Sequence, residues 1–403
     1  AGAARLQDRE GQGGNGQVDR PALLGKKDDE QLMNNQQQIS AGQLVAILLT
    51  SRLAVAMTFA PTVHQLSHGT DFLLSILLQA LLLALLLLPT WWFARRSEGI
   101  STLDYAVAVM GKGGGVVAVF YGLACLYIQA ADLIRFSRFA SSTLSPGMSR
   151  EVLCIVLMVT AGIAAFYGIQ AIARSAAIIA VFVVATILLA ALALLPRMEL
   201  INFPPLLYDG GSPVLAGALE ELPRSMELAV LGLLIPYVKG SLIKGSLWWI
   251  GIFTAVALVI QATVVGVLGD FGAMELFPYY TVLTTVQVSV IQRLDIVATA
   301  IWVGALFLKM AFFGMLFTDC FQRVTGQKWR MLIAATGAVI TLAAGLLLGD
   351  AAPLQAEQRI IWYASAVLLG VCAVGIPAAL ALWDLWRHKT MRKKLGPQQE
   401  EGA

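Results

Sequence analysis

Charged residues are scarce in this chain of 403 residues. Asp, Glu, Lys and Arg together make up 13% of it, whereas about 25% is typical of a soluble globular protein. Hydrophobic residues make up 58%, and the mean hydropathy is +0.75. This composition excludes an ordinary soluble domain and indicates a protein that lies within a membrane.

The chain also has few of the residues that build metal sites and catalytic centres. Each of its four cysteines lies alone in an apolar run without a CxxC spacing, so we expect buried thiols rather than a disulfide or a metal cluster. His64 and His68 are four residues apart, but only Asp71 follows as a third ligand. The chain contains no HExxH, nucleophile elbow or catalytic pair of carboxylates. We therefore predict no enzyme activity, no metal site and no cofactor.

Long apolar runs are what the chain has in abundance. The runs at 72–89 and 178–195 reach the roughly 18 residues that mark a membrane-spanning helix. The pattern predicts an all-α polytopic membrane protein with ten transmembrane helices in one domain, residues 39–386. The ten apolar segments are 39–63, 71–93, 114–138, 151–169, 173–195, 212–238, 246–268, 290–321, 331–349 and 360–386.

Polar segments flank this domain. Residues 1–38 are rich in Gly, Gln and Asn and lack an apolar stretch, which predicts a disordered tail and no cleavable signal peptide. Residues 387–403 form a tail that is first basic and then polar. Of the 28 Lys and Arg residues, 19 fall on the side that carries both termini and six on the other, which predicts that both termini are cytoplasmic. The net charge of +3 is spread over short loops and tails, so we expect no nucleic-acid partner.

The sixth segment is interrupted in its middle. Glu220, Glu221, Pro223, Arg224 and Glu227 lie within a stretch that is otherwise apolar. A charge at membrane depth is costly unless it faces protein or a water-filled cavity. Broken helices near the bilayer midplane hold the substrate in secondary transporters. We therefore predict a discontinuity at residues 223–228 and a ligand site beside it.

Glu227 and Lys309 are the main candidates for that site. The carboxylate of Glu227 could bind a ligand ammonium, accept a proton, or accept hydrogen bonds from exposed backbone N–H groups. Lys309 lies in the middle of the eighth segment and needs a partner, because a buried ammonium is expensive. It either lines a cavity opposite Glu227 or forms a buried structural ion pair. The two helix ends at one break suit a zwitterionic ligand.

The third segment adds polar residues at a helical spacing. Asp132 and Arg135 are three residues apart and are expected to pair on one helix face, a structural role. Gln129 lies one turn deeper and is a better candidate for a ligand contact. Arg52 in the first segment has three open possibilities, since it could pair with Glu227, pair with Asp132, or extend to the membrane surface.

The first segment has small side chains before a proline. Ala54, Ala56 and Thr58 lie one and two turns before Pro61. This arrangement fits local unwinding of the helix, and it also fits ordinary close packing of small residues.

Several motifs resemble one family in order and spacing. They include ISAGQLVAILL, GTDFLLSILL, ARRSEGISTLDYAVAVMGK and MELAVLGLLIPYVK, followed by FPYYTVLTTVQVSVIQRLDIVATAIWVGALFLKMAFF. The chain resembles the spore germination permeases, the B subunits of nutrient germinant receptors, over about residues 39–325. The resemblance implies the amino acid–polyamine–organocation transporter fold, also called LeuT-like. In that fold two inverted repeats of five helices form the bundle, and helices one and six are broken.

The resemblance also implies a binding pocket and a role. By position, the family's pocket falls on Ala54, Ala56, Gln129, Glu227, Leu228, Lys309 and Phe313. With Thr58 from the first segment, these are the candidate ligand-binding residues. The implied role is to sense an amino acid or similar small nutrient in the spore inner membrane. The implied partners are an A subunit, a C-subunit lipoprotein and the lipid bilayer. Two alternatives stay open, a proton- or cation-coupled amino-acid transporter and a scaffold whose cavity is vestigial.

Overall fold

The described part of the chain is almost entirely helical, which confirms the predicted all-α membrane fold class. A computed structural model describes residues 38–55, 69–97, 99–144, 147, 149–203, 205–207, 210–286, 294–325, 329–348 and 354–395. The predicted N-terminal tail lies almost wholly outside these residues, and so do Ala56, Thr58 and Pro61.

Fifteen α-helices and two short strands are described. The first eight helices are α1 Ala41–Leu53, α2 Gly69–Leu86, α3 Leu88–Arg96, α4 Thr102–Met110, α5 Gly114–Phe139, α6 Arg150–Phe166, α7 Gly168–Leu194 and α8 Gly211–Glu221. The others are α9 Leu231–Leu234, α10 Leu242–Leu268, α11 Pro278–Thr284, α12 Leu294–Thr325, α13 Arg330–Leu348, α14 Leu354–Leu369 and α15 Ile376–Leu395. The strands are β1 Ile39–Ser40 and β2 Val238–Lys239.

Seven helical stretches in the described part are long and apolar enough to cross a membrane. They are Thr70–Arg96, Gly114–Thr143, Gly168–Arg197, Leu242–Gly272, Leu294–Thr325, Arg330–Leu347 and Arg359–Trp386. The first, fourth and sixth predicted segments appear as the shorter helices α1, α6 and α8 with α9. The total of ten transmembrane helices therefore stays a prediction.

Helix α4 lies between the second and third predicted segments, where the sequence analysis placed no apolar segment. The hydroxyl of Ser101 accepts a hydrogen bond from the backbone N–H of Asp104 at 3.0 Å, which is an N-cap. The Ser-x-x-Asp spacing before an apolar run is the local signal that predicts this helix.

The sixth segment is broken where the sequence predicts it. Helix α8 ends at Glu221, and two short 3₁₀ segments follow, Leu222–Arg224 and Met226–Val230. Pro223 has no backbone N–H and clashes with the preceding turn of an α-helix, so a continuous helix cannot pass through it. Regular α-helix resumes at α9, and the predicted discontinuity is confirmed.

The contacts between helices repeat with a five-segment shift. We number the ten apolar segments in order. The first segment (α1) packs on the fifth (α7), and the broken sixth segment packs in the equivalent way on the tenth (α14). Helix α2 (second) packs on α8 (sixth), as α10 (seventh) packs on α1. Helix α12 (eighth) packs on α6 (fourth), as α5 (third) packs on α13 (ninth). The two halves thus exchange equivalent contacts, as the two repeats of the predicted fold require.

The first and sixth segments are joined at one end of the bundle. Strand β1 precedes α1 and pairs in parallel with β2, which follows the sixth segment, with Ile39 opposite Val238.

Close helix packing also holds the sixth segment against the second. A Cβ atom at Gly217 would lie 2.7 Å from the hydroxyl oxygen of Ser75. That hydroxyl donates a hydrogen bond to the carbonyl of Val214 at 3.0 Å.

We expect Gly217→Val to destabilise the bundle, because the added side chain has to separate α2 from α8. Overpacking of this kind costs about 1–3 kcal/mol. The matched control is Gly251→Val on α10, where a Cβ has no atom within 4 Å. Thermal unfolding of the purified protein measures both variants. An equal melting temperature for the two would contradict the predicted close contact.

Candidate functional site

One face of α12 meets the first and the sixth segments. Trp302 and Lys309 are seven residues apart, which is about two turns of an α-helix, so they lie on the same face. Trp302 contacts the end of α1, and Lys309 contacts the break in the sixth segment. Helix α12 therefore connects the end of α1 with the break in the sixth segment.

Lys309 lies between two carboxylates. Its Nζ atom is 2.9 Å from Oε1 of Glu227 and 2.8 Å from Oδ2 of Asp132. The other oxygen of Asp132 is 3.0 Å from Nη1 of Arg135, so the predicted pair within α5 is present. The side chains of Lys309, Asp132 and Glu227 are only 1–3% exposed. Of the two possibilities for Lys309, the structure has the buried ion pair.

The charges of this group balance. Asp132 and Glu227 carry two negative charges when ionised, and Lys309 and Arg135 carry two positive charges. An unpaired charge at such a buried position would cost several kcal/mol, about 3–5 when one partner of a pair is removed. The group is stable here because each charge has an opposite charge within hydrogen-bonding distance.

Two polar atoms at the break have no hydrogen-bond partner among the described residues. They are Oε2 of Glu227 and the hydroxyl of Ser225. Both residues have 0% exposure. A buried polar atom without a partner is unusual and calls for an explanation such as a bound water, ion or ligand. Among the described residues, these two atoms are the best candidates to contact a polar ligand at the break.

Arg52 has a partner that the sequence analysis did not consider. Its Nη2 atom is 3.1 Å from Oε2 of Glu221, and its guanidinium carbon is 4.8 Å from the ring centre of Phe253. The other oxygen of Glu221 is 3.1 Å from Nε of Arg224. The structure therefore shows none of the three possibilities that the sequence left open for Arg52, because its guanidinium pairs with the last residue of α8.

Ala54 interacts through its backbone. The indole N–H of Trp302 donates a hydrogen bond to the Ala54 carbonyl, which lies just after the last residue of α1. Trp302 also packs against an aromatic cluster formed by Phe136, Phe139, Phe277 and Tyr280. The sequence analysis missed Trp302, although a tryptophan at this depth needs an acceptor for its N–H.

The remaining predicted residues have different surroundings. Leu228 and Phe313 are fully buried in the hydrophobic core. The side-chain amide of Gln129 donates to the Cys125 carbonyl at 3.4 Å. Gln129 lines a separate groove between α5, α6, α12 and α13, whose enclosed cavity is about 40 Å³. At about 10–15 Å³ per water, this cavity holds roughly three waters, which is too little for an amino acid.

A second polar network joins the end of the sixth segment to α12. The hydroxyl of Tyr237 donates to Oδ2 of Asp319 at 3.1 Å and accepts from Nη2 of Arg323 at 3.2 Å. Arg323 also forms an ion pair with Asp104 on α4. No group of three His, Cys, Asp or Glu side chains in the described ranges is arranged to hold a metal ion.

We expect Lys309→Met to lower stability strongly, because Glu227 loses its cation while Asp132 keeps only Arg135. The loss should be about 3–5 kcal/mol. Adding Glu227→Gln removes the uncompensated negative charge, because Asp132 and Arg135 then balance each other, and should recover most of the loss. Thermal unfolding measures the effect, and Lys244→Met is the control because Lys244 is exposed on α10. Failure of the double variant to recover stability would contradict the assignment.

We expect Trp302→Phe to destabilise the end of α1. Phenylalanine keeps the aromatic packing but leaves the buried Ala54 carbonyl without its donor, which costs about 1–3 kcal/mol. Trp383→Phe is the matched control, because Trp383 is 48% exposed. Hydrogen exchange of the amides in α1 should rise in the Trp302 variant alone. Unchanged exchange would show that the hydrogen bond does not hold this helix end.

Comparisons with known proteins agree with this architecture. A solved structure described as the substrate-bound outward-open state of a Na⁺-coupled sialic acid symporter is similar in fold, with a TM-score of 0.58. The similarity covers 83% of this chain and 78% of that chain at 12% sequence identity, so it supports the LeuT-like fold class alone. A search of curated proteins found no match.

The sequence itself matches a family model over most of its length. The model describes a spore germination protein and matches residues 38–348. This range includes α1, the break in the sixth segment and the ion-paired lysine of α12. The chain is therefore a membrane-embedded permease-type protein and belongs to the spore germination protein family.

Proposed function

We propose that this protein is the B subunit of a spore nutrient germinant receptor. It would sense an amino acid or a similar small nutrient at the break of the sixth segment. The observation that carries the proposal is the ion-paired Lys309 beside the two unpartnered atoms of Glu227 and Ser225, in a chain of the spore germination family. The A subunit and the C-subunit lipoprotein are proposed partners, the spore inner membrane is the proposed location, and both termini are proposed to be cytoplasmic.

The chemistry of the site supports a zwitterionic ligand. The free oxygen of Glu227 suits an ammonium group, and the hydroxyl of Ser225 suits either end of the ligand. The surrounding ion pairs are neutral overall, so a ligand without net charge adds no unpaired charge to the interior. A ligand with a net charge of one would bring an unpaired charge into the interior, which is unfavourable.

Binding would require the bundle to open. Glu227 and Ser225 have 0% exposure, so a ligand reaches them only when the first and sixth segments move relative to α5 and α12. The ligand then favours the conformation that it binds more tightly, by the ratio of its two affinities. We propose that this population shift is passed to the partner subunits and triggers germination.

Ser225→Ala is the sharpest test of the site. If the hydroxyl has only a structural role, its removal is neutral or stabilising, because a buried hydroxyl without a partner is itself unfavourable. If it binds the nutrient, the nutrient concentration for half-maximal germination should rise about 2- to 10-fold, the equivalent of one hydrogen bond. Germination of spores carrying the variant, at matched protein levels, measures this.

The control is Ser97→Ala. The hydroxyl of Ser97 is also buried and has no partner among the described residues, but it lies at the end of α3. It should leave nutrient sensitivity unchanged. Equal sensitivity of Ser225→Ala and Ser97→Ala spores would refute a ligand contact at Ser225.

Active transport is the second candidate function. Its support is the similarity in fold to a Na⁺-coupled sialic acid symporter, and fold alone does not determine function. Uptake of a labelled amino acid by proteoliposomes that contain this chain alone would favour a transporter. Absence of uptake, together with ligand-dependent thermal stabilisation, would favour the receptor.

A further inference from the structure

A groove between α6 and α13 is separate from the break in the sixth segment. It is an open groove: the space between its walls, including the part open to the surroundings, is about 490 Å³, although only about 40 Å³ of it is enclosed. Apolar and small side chains line most of it, and the polar side chains that line it are those of Gln129, Thr318 and Arg330. Arg330 and Phe166 lie where α13 begins and α6 ends.

The guanidinium of Arg330 is available for an anion. Its Nε atom is buried and has no hydrogen-bond partner among the described residues. Its guanidinium carbon is 5.7 Å from the ring centre of Phe166, which holds the side chain at the mouth of the groove. The carboxylate of Asp319 interacts with Arg330 at longer range, but it accepts its hydrogen bond from Tyr237.

The wall of the groove has room for an apolar chain. Gly162 lines the groove, and a Cβ atom added there would meet no atom within 4 Å. The opposite wall is packed, because a Cβ at Gly337 would lie 2.5 Å from the Phe317 ring. The open space is therefore on the α6 side, and an occupant would pass over Gly162.

We propose that this groove binds an anionic phospholipid, with its phosphate on Arg330 and an acyl chain along Gly162. An arginine presents several N–H donors that match phosphate oxygens. Basic pockets between membrane helices recognise anionic headgroups in this manner. The sequence supports the charge match, because Arg330 belongs to the side of the chain that holds 19 of the 28 Lys and Arg residues. This lipid site is independent of the nutrient site proposed above.

The test uses the full-length protein in nanodiscs of phosphatidylcholine, with and without phosphatidylglycerol. We expect phosphatidylglycerol to raise the thermal unfolding midpoint of the wild-type protein, because a ligand that binds only the folded state stabilises it. Arg330→Gln should lose most of this rise, and Gly162→Leu should lose it with Arg330 intact, because the leucine fills the groove. Native mass spectrometry should show fewer retained phosphatidylglycerol molecules in both variants.

Two matched controls separate the groove from the rest of the surface. Arg95→Gln removes an exposed arginine away from the groove, and Gly251→Leu adds a leucine on α10 where the space is also open. Both should keep the wild-type response to phosphatidylglycerol. The proposal is overturned if Arg330→Gln behaves like Arg95→Gln, or if Gly162→Leu behaves like Gly251→Leu. It is also overturned if glycerol phosphate alone gives the full stabilisation, since that would indicate an anion site without a lipid chain.

Discussion

The buried ammonium of Lys309 is the interaction on which the centre of the molecule depends. Together with Arg135 it balances the charges of Glu227 from the broken sixth segment and Asp132 from α5. Without it, the two buried carboxylates would share Arg135, and the uncompensated charge at the break would be costly. The ion pairs thus allow the chain to have an irregular, polar segment at a depth where a regular apolar helix would otherwise be required.

The same helix that carries Lys309 also organises the rest of the site. Trp302 binds the Ala54 carbonyl at the end of α1, and Arg323 contacts Tyr237 at the end of the sixth segment. A movement of the first or the sixth segment along α12 would have to break at least one of these contacts. Polar contacts at several levels of one helix suit a bundle with two discrete packings, because each packing can satisfy a different set of them.

The proposed ligand site rests on two buried polar atoms at the break. Lys309 satisfies one oxygen of Glu227, yet the other oxygen and the Ser225 hydroxyl remain without partners in the described residues. At Ser225, a site that served stability alone would gain from a small apolar residue. Arg52, Glu221 and Arg224 form a complementary group one turn away. That group fixes the end of α8 against α1, so the break lies between two sets of ion pairs.

The sequence by itself determined the membrane class, the break near Pro223, the Asp132–Arg135 pair and the choice of Glu227 and Lys309 as candidates. These follow from composition and from local spacing, because a proline or a charge in an apolar run has a direct physical consequence at that position. Only the tertiary structure decided which partners meet. Lys309 and Glu227 are 82 residues apart, Arg52 and Glu221 are 169 apart, and Trp302 and Ala54 are 248 apart. Helix packing brings such groups together, and no local pattern in one sequence records which distant helices will pack.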